Sequence, residues 1–168
     1  MAIYTTKQRD AVVKRAIQAV EARRNGKVTF TAGGQTFKLG PVYKGKKVIG
    51  YCNRFIRQCF ETALGFSAFQ WRYGSETARG TLDKLEAFKI DKDFVKLQPG
   101  DILGWYEGSG IYGHIALYLG DIYGDGRKLV AENTSAKRGD PKPPGTKVTR
   151  LVNTRTGWKA YRLFPTDK

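Results

Sequence analysis

Cys52 lies in Gly50-Tyr51-Cys52-Asn53-Arg54-Phe55-Ile56-Arg57-Gln58-Cys59-Phe60, where a glycine-bearing turn runs into an amphipathic helical pattern. A thiol in the first turn of a helix meets unpaired backbone N–H groups and the positive end of the helix dipole, and both favour the ionised sulfur. The chain has one histidine, His114, in Gly113-His114-Ile115-Ala116-Leu117-Tyr118, at the start of an apolar strand pattern. A helix-start cysteine and a strand-start histidine are the minimum parts of a cysteine nucleophile with its base. The second cysteine, Cys59, falls in mid-helix on an apolar face and reads as a core residue. On one helix, the spacing of the two cysteines corresponds to about 10.5 Å of rise. That is beyond the roughly 7 Å a disulfide can bridge, so both read as free thiols.

Thiol catalysis of acyl transfer needs a third group to hold the imidazole in the right tautomer and orientation. Val130-Ala131-Glu132-Asn133-Thr134-Ser135 ends the next strand pattern and offers two candidates, Glu132 and Asn133. Adjacent residues of a strand point to opposite faces, so only one of them reaches the ring directly. A structural histidine at a strand edge, and a plain turn at Asn133-Thr134-Ser135, would carry the same residues.

The elements that position these groups follow from periodicity. Thr5 or Thr6 caps a first helix running to about Arg24, with Val12, Val13, Ala16, Ile17 and Val20 at helical spacing and Asn25-Gly26 as the stop. Lys27–Phe30 and Gln35–Leu39 flank Thr31-Ala32-Gly33-Gly34 and read as a hairpin. Residues 40–50 form a basic loop, and the Cys52 helix ends near Leu64 at Gly65. Residues 66–74 are aromatic-rich, with Phe69, Trp71 and Tyr73 alternating. A third helix is expected from about Ser75 to Phe88, with Gly80 as a point where it could break. Strands are expected at Asp101–Trp105, His114–Gly120, Lys128–Asn133, Val148–Val152 and Trp158–Leu163, and a Pro/Lys/Gly loop at 136–145. Helices first and an antiparallel sheet second make an α+β chain. Residues 1–168 read as one domain: a helix and hairpin over 1–40, then the remainder over 41–168.

The net charge is +15, from 30 Lys and Arg against 15 Asp and Glu, scattered along the chain. Such a surface seeks polyanions, and charge alone does not choose among nucleic acid, anionic lipid and anionic wall polymer. No apolar run approaches the roughly 20 residues of a membrane span, so none is expected. The first residues lack the apolar stretch of a secretory signal, so synthesis in the cytoplasm is expected. One histidine and two cysteines on one helix do not make a zinc constellation, so no metal is expected, nor any other cofactor.

Taken together, Cys52 at a helix start, Leu97-Gln98-Pro99-Gly100-Asp101-Ile102-Leu103, Gly113-His114-Ile115-Ala116-Leu117-Tyr118-Leu119-Gly120 and Glu132-Asn133 resemble the NlpC/CHAP superfamily of papain-like cell-wall hydrolases. The resemblance covers roughly residues 40 to 135. It implies a papain-like fold and a catalytic core over 41–168. It also implies cleavage of an amide bond of peptidoglycan, by an endopeptidase or amidase. By the family pattern Cys52 is the nucleophile, His114 the base and Asn133 the orienting residue, with Glu132 its rival. Asp101 is then structural, starting the first strand of the sheet. Tyr43 and Tyr51 are candidate oxyanion or pocket residues. A small, basic chain of this kind resembles a phage lysin or a virion-associated lysin, acting on the wall after release or within a virion.

Three features depart from the family pattern. Asn53-Arg54 stands where many relatives carry small residues, and the hairpin and the Phe69-Trp71-Tyr73 segment match no family feature. The expected partners are peptidoglycan and, through the basic surface, anionic wall polymers. Competing readings are a papain-like toxin or effector, an inactive phage structural protein, and a basic nucleic-acid-binding protein. The last leaves Cys52, His114 and Asn133 unexplained and carries no nucleic-acid motif, so nucleic acid is not expected as a partner.

Overall fold

The computed structural model describes residues 4–39, 51–65, 78–106, 113–134, 145–151 and 157–165. Helix α1 (Thr6–Arg24) starts on a reciprocal cap: the Gln8 amide N–H donates to the Thr5 hydroxyl, and the Gln8 side chain accepts from the Thr5 N–H. Val12, Ala16, Ala19 and Val20 are buried on one face, while Val13 and Ile17 lie half-buried beside it. Strands β1 (Thr29–Ala32) and β2 (Gln35–Lys38) form the expected hairpin. Its turn is shorter than the sequence suggested. Thr31 and Ala32 belong to β1, and only Gly33 and Gly34 turn, with φ of +56° and +77°. A Cβ on Gly33 would come within 2.7 Å of Thr62, so the hairpin tip rests against the helix that carries Cys52.

That helix, α2 (Tyr51–Leu64), buries Ile56, Cys59 and Phe60 completely and stops at Gly65, with φ +76°. Helix α3 spans Ala78–Lys84 and passes through Gly80 without breaking. A 3-10 turn at Glu86–Phe88 follows, where the sequence suggested continuous helix. The expected Ser75 cap, like the 66–74 aromatic segment and the 136–144 stretch of the Pro/Lys/Gly loop, lies outside the described residues.

Strands β3 (Lys89–Ile90), β4 (Ile102–Tyr106), β5 (Gly113–Gly120), β6 (Leu129–Thr134), β7 (Gly145–Arg150) and β8 (Lys159–Tyr161) form one antiparallel sheet. Their order is β3-β8-β4-β5-β6-β7. The two-residue β3 was not legible in the sequence. β7 begins three residues before the expected Val148, because Gly145, Thr146 and Lys147 continue the ladder with β6. Ile115, Leu117, Leu119, Leu129 and Ala131 join α1 and α2 in the main core, while Leu103, Ala116, Tyr118, Val130 and Ala160 make a smaller cluster. The arrangement is α+β, with helices packed on an antiparallel sheet.

Pro99-Gly100-Asp101 fastens this sheet. Gly100, at φ +96°, donates its N–H to the Tyr118 carbonyl, and the Tyr118 N–H donates to the carbonyl of Asp101. The Asp101 carboxylate accepts the Gln98 N–H at 2.8 Å and two bonds from the Arg162 guanidinium at 2.9 and 2.7 Å. Both side chains of this fork are nearly inaccessible, so Asp101 joins the start of β4 to the chain leaving β8.

Candidate active site

Cys52 is the second residue of α2 and is half-buried. The neighbouring Asn53 turns inward, where its amide donates to the Thr81 hydroxyl of α3 at 2.9 Å in a buried setting. Asn53 therefore anchors the helix start that carries the thiol, while Arg54 is exposed. Asn53 is thus a fastening to α3.

His114 is the second residue of β5 and Glu132 the fourth of β6. Leu117 pairs with Ala131 and Tyr118 with Val130 across these strands. Continuing that register sets Glu132 level with Ala116, on the face that His114 shares. His114 Nε2 and Glu132 Oε2 are 2.7 Å apart, with both side chains almost fully covered. The Thr149 hydroxyl of β7 donates to the other carboxylate oxygen, Oε1, at 3.1 Å. Trp158 packs edge-on against the imidazole, with ring centroids 6.3 Å apart and planes at 79°.

The Cys52 side chain lies near enough to the imidazole to act on its ionisation. Burial disfavours the charged ring, but the hydrogen bonds and charges of Cys52 and Glu132 outweigh it, raising the His114 pKa to about 9. Burial likewise opposes ionisation of Glu132. The His114 bond and charge, the Thr149 hydroxyl and the nearby Lys147 overcome this and hold the carboxyl below its ordinary range. Both shifts favour the pair as imidazolium and carboxylate.

Asn133 is not part of this arrangement, which corrects the expectation that it orients the ring. It points to the opposite face of β6, where its amide donates to the Lys38 carbonyl at 3.1 Å and to the Thr146 hydroxyl at 3.0 Å. The alternation of a strand allows one of the two neighbours to reach His114, and register selects Glu132. Cys59 is fully buried in the main core, and burial pushes its thiol far up. Tyr43 lies outside the described residues. Tyr51 is the first residue of α2, and its side chain is likewise outside them.

Thr149 and Trp158 were missed as site residues. Thr149 sits in a strand pattern where one polar β-branched residue carries no special signal, and Trp158 read only as a strand start. Both owe their places to strands distant in sequence from His114. Among the described residues, no group of three or more His, Cys, Asp and Glu side chains is arranged to hold a metal ion.

The thiol at a helix start, the buried imidazole, and the carboxylate that fixes its tautomer make a Cys52–His114–Glu132 relay. Such a relay suits nucleophilic attack on a carbonyl followed by protonation of a leaving amine. No family model, curated protein or solved structure matches the chain.

Proposed function

We propose that this protein is a papain-like cysteine peptidase or amidase that cleaves an amide bond of peptidoglycan, as a phage lysin or virion-associated lysin does. The observation that carries the reading is the Cys52–His114–Glu132 relay, with the imidazole held between sulfur and carboxylate. The Cys52 thiolate attacks the amide carbonyl carbon, and backbone N–H groups at the start of α2 offer donors to the developing oxyanion. The tetrahedral adduct collapses as the C–N bond breaks, and the imidazolium of His114 gives its proton to the departing amine. His114, now neutral, takes a proton from water as the oxygen attacks the thioester. The second adduct collapses as the C–S bond breaks, the acid product leaves, and the Cys52 thiolate and His114 imidazolium are restored. Glu132 stabilises the imidazolium in the first half and holds the ring's tautomer in the second.

The substrate class is supported by the Pro-Gly-Asp and Gly-His segments that resemble wall hydrolases, and by a +15 chain suited to a wall rich in phosphate and carboxylate. The test incubates purified protein with peptidoglycan beside Cys52→Ala and reads the products by mass spectrometry. New amine ends from the wild type alone support the hydrolase and identify the bond. Equal inactivity of both proteins, with folding intact, would move the reading to a binding or scaffolding role.

A further inference from the structure

A second feature lies next to the relay and shares part of its wall. Between the end of α1, the loop before β6, and β7 is a cleft of about 710 Å³ whose lining includes Arg23, Arg24, Arg127 and Lys147. Two of these cations are held in place on one aromatic ring. Arg24 Nη1 donates to the Tyr123 hydroxyl at 3.2 Å, and the Arg127 guanidinium lies 5.7 Å from the centre of the same ring. Among the described residues each has one carboxylate partner, Glu21 at 3.3 Å for Arg24 and Asp125 at 2.6 Å for Arg127. Arg23 pairs with no carboxylate among the described residues, so the cleft keeps an excess of positive charge. Its wall is shared with the active site: Lys147 stands directly across β6–β7 from Glu132, and Thr149, which also lines the cleft, holds Glu132 Oε1.

The chemistry of this lining is specific. Guanidinium groups offer a planar fork of donors that matches a phosphate, and anchoring two of them beforehand lowers the ordering cost of binding. The exposed Tyr123 ring supplies the aromatic contact that a polyol or sugar uses.

We propose that this cleft is a phosphate-binding subsite, which holds a phosphodiester-linked polyol or sugar polymer of the bacterial wall beside the catalytic residues. The occupant rests on the wall-hydrolase reading; the anion site itself does not.

The experiment uses the full chain as Cys52→Ala, so that binding is read without turnover. Inorganic phosphate and glycerol 3-phosphate are titrated by NMR, followed by co-sedimentation with bacterial walls before and after chemical removal of their phosphate polymers. Shifts centred on Arg23, Arg127 and Tyr123 are expected, with wall binding that drops when phosphate is stripped. Arg23→Glu with Arg127→Glu should weaken wall binding about tenfold or more, the scale of losing charge-assisted hydrogen bonds. Lys7→Glu with Lys14→Glu, the same charge change on the exposed side of α1, should change it less than about twofold. Arg23→Gln with Arg127→Gln gives an intermediate loss and guards against misfolding of the reversed variant.

Equal losses from both charge reversals would overturn the subsite in favour of diffuse surface charge. Unchanged binding to stripped walls, or equal competition by a short single-stranded oligonucleotide, would overturn the occupant. Wall binding by wild type without any hydrolysis would sink the hydrolase reading and leave the subsite standing.

Discussion

Glu132 and Asn133 are adjacent polar residues on β6, both largely buried, and they serve opposite faces of one strand. On the side of Asn133, the amide is bonded to the Lys38 carbonyl and the Thr146 hydroxyl, groups that do not titrate. On the side of Glu132, the carboxylate meets an imidazole that in turn meets a thiol, and a threonine hydroxyl steadies it. The first face uses a polar side chain to fasten β6 to β2 and β7. The second uses one to hold a proton between two reactive groups. Helix α2 repeats the contrast, with Cys52 half-exposed at its start and Cys59 sealed in its core. Residue type does not separate the two members of either pair. What separates them is whether the partner can exchange a proton.

The largest test of this contrast lies in the two cysteines. Cys52→Ala should abolish hydrolysis, about 10³-fold or more, since nucleophile removal leaves only residual binding and oxyanion effects. Cys59→Ala should keep turnover and lose about 1 kcal/mol of stability. Turnover assays beside urea unfolding check both, and loss of activity in a folded Cys59→Ala would assign the wrong thiol.

Next in size is the β6 pair. Glu132→Gln should lower kcat about 100-fold, the low end of what a positioned acid–base group contributes. Asn133→Ala should leave the pH profile of the remaining activity unchanged and cost about 1–3 kcal/mol, the penalty for unsatisfying buried polar groups. If Asn133→Ala shifts the pH profile and Glu132→Gln does not, the roles assigned here are reversed.

A smaller and more diagnostic effect is pH dependence. Because His114 is raised from its ordinary value of 6.5 to about 9, the imidazolium persists through neutrality, and activity should fall on an alkaline limb near pH 9. In Glu132→Gln that limb should move to lower pH, because one of the two groups that raise the ring is gone. Stability follows the same sign. The raised His114 contributes fully below 6.5, and its contribution is lost as pH rises through about 9. The depressed Glu132 contributes above the ordinary carboxylate value of 4.5, and its contribution is lost as pH falls through its lowered value. Thermal melting of wild type and Glu132→Gln at pH 6 and pH 9.5 should therefore show a stability difference that narrows at the higher pH. A constant difference would mean that Glu132 does not act through the charge of His114.

The smallest effect belongs to Thr149. Replacing it with Val removes one hydrogen bond to the carboxylate, a loss of about 1 kcal/mol or several-fold in kcat. Thr149→Ser should restore most of the rate, which a purely volumetric role would not do.

Much of this was legible beforehand because it depends on short-range order. The start of α1 at Thr5 or Thr6, the hairpin around its glycine-bearing turn, the amphipathic α2 and the apolar β5 each follow from residues within a few positions of one another. The placement of Cys52 at a helix start and His114 at a strand start came with them. Thr149 and Trp158 were not legible, since their contacts bring β7 and the start of β8 to an imidazole far away in sequence. Nor was the helix-like 3-10 turn at Glu86–Phe88, where local propensity favoured a longer helix and the short β3 follows at once.

By itself the sequence determined that this chain carries a helix-start thiol, a single histidine and two adjacent polar candidates on one strand, because periodicity and turn chemistry are written locally. Only the tertiary structure decided that Glu132, and not Asn133, meets the ring. The physical reason is the two-residue period of a strand: a shift of one position exchanges its faces, and the register of β6 against β5 and β7 is set by long-range packing.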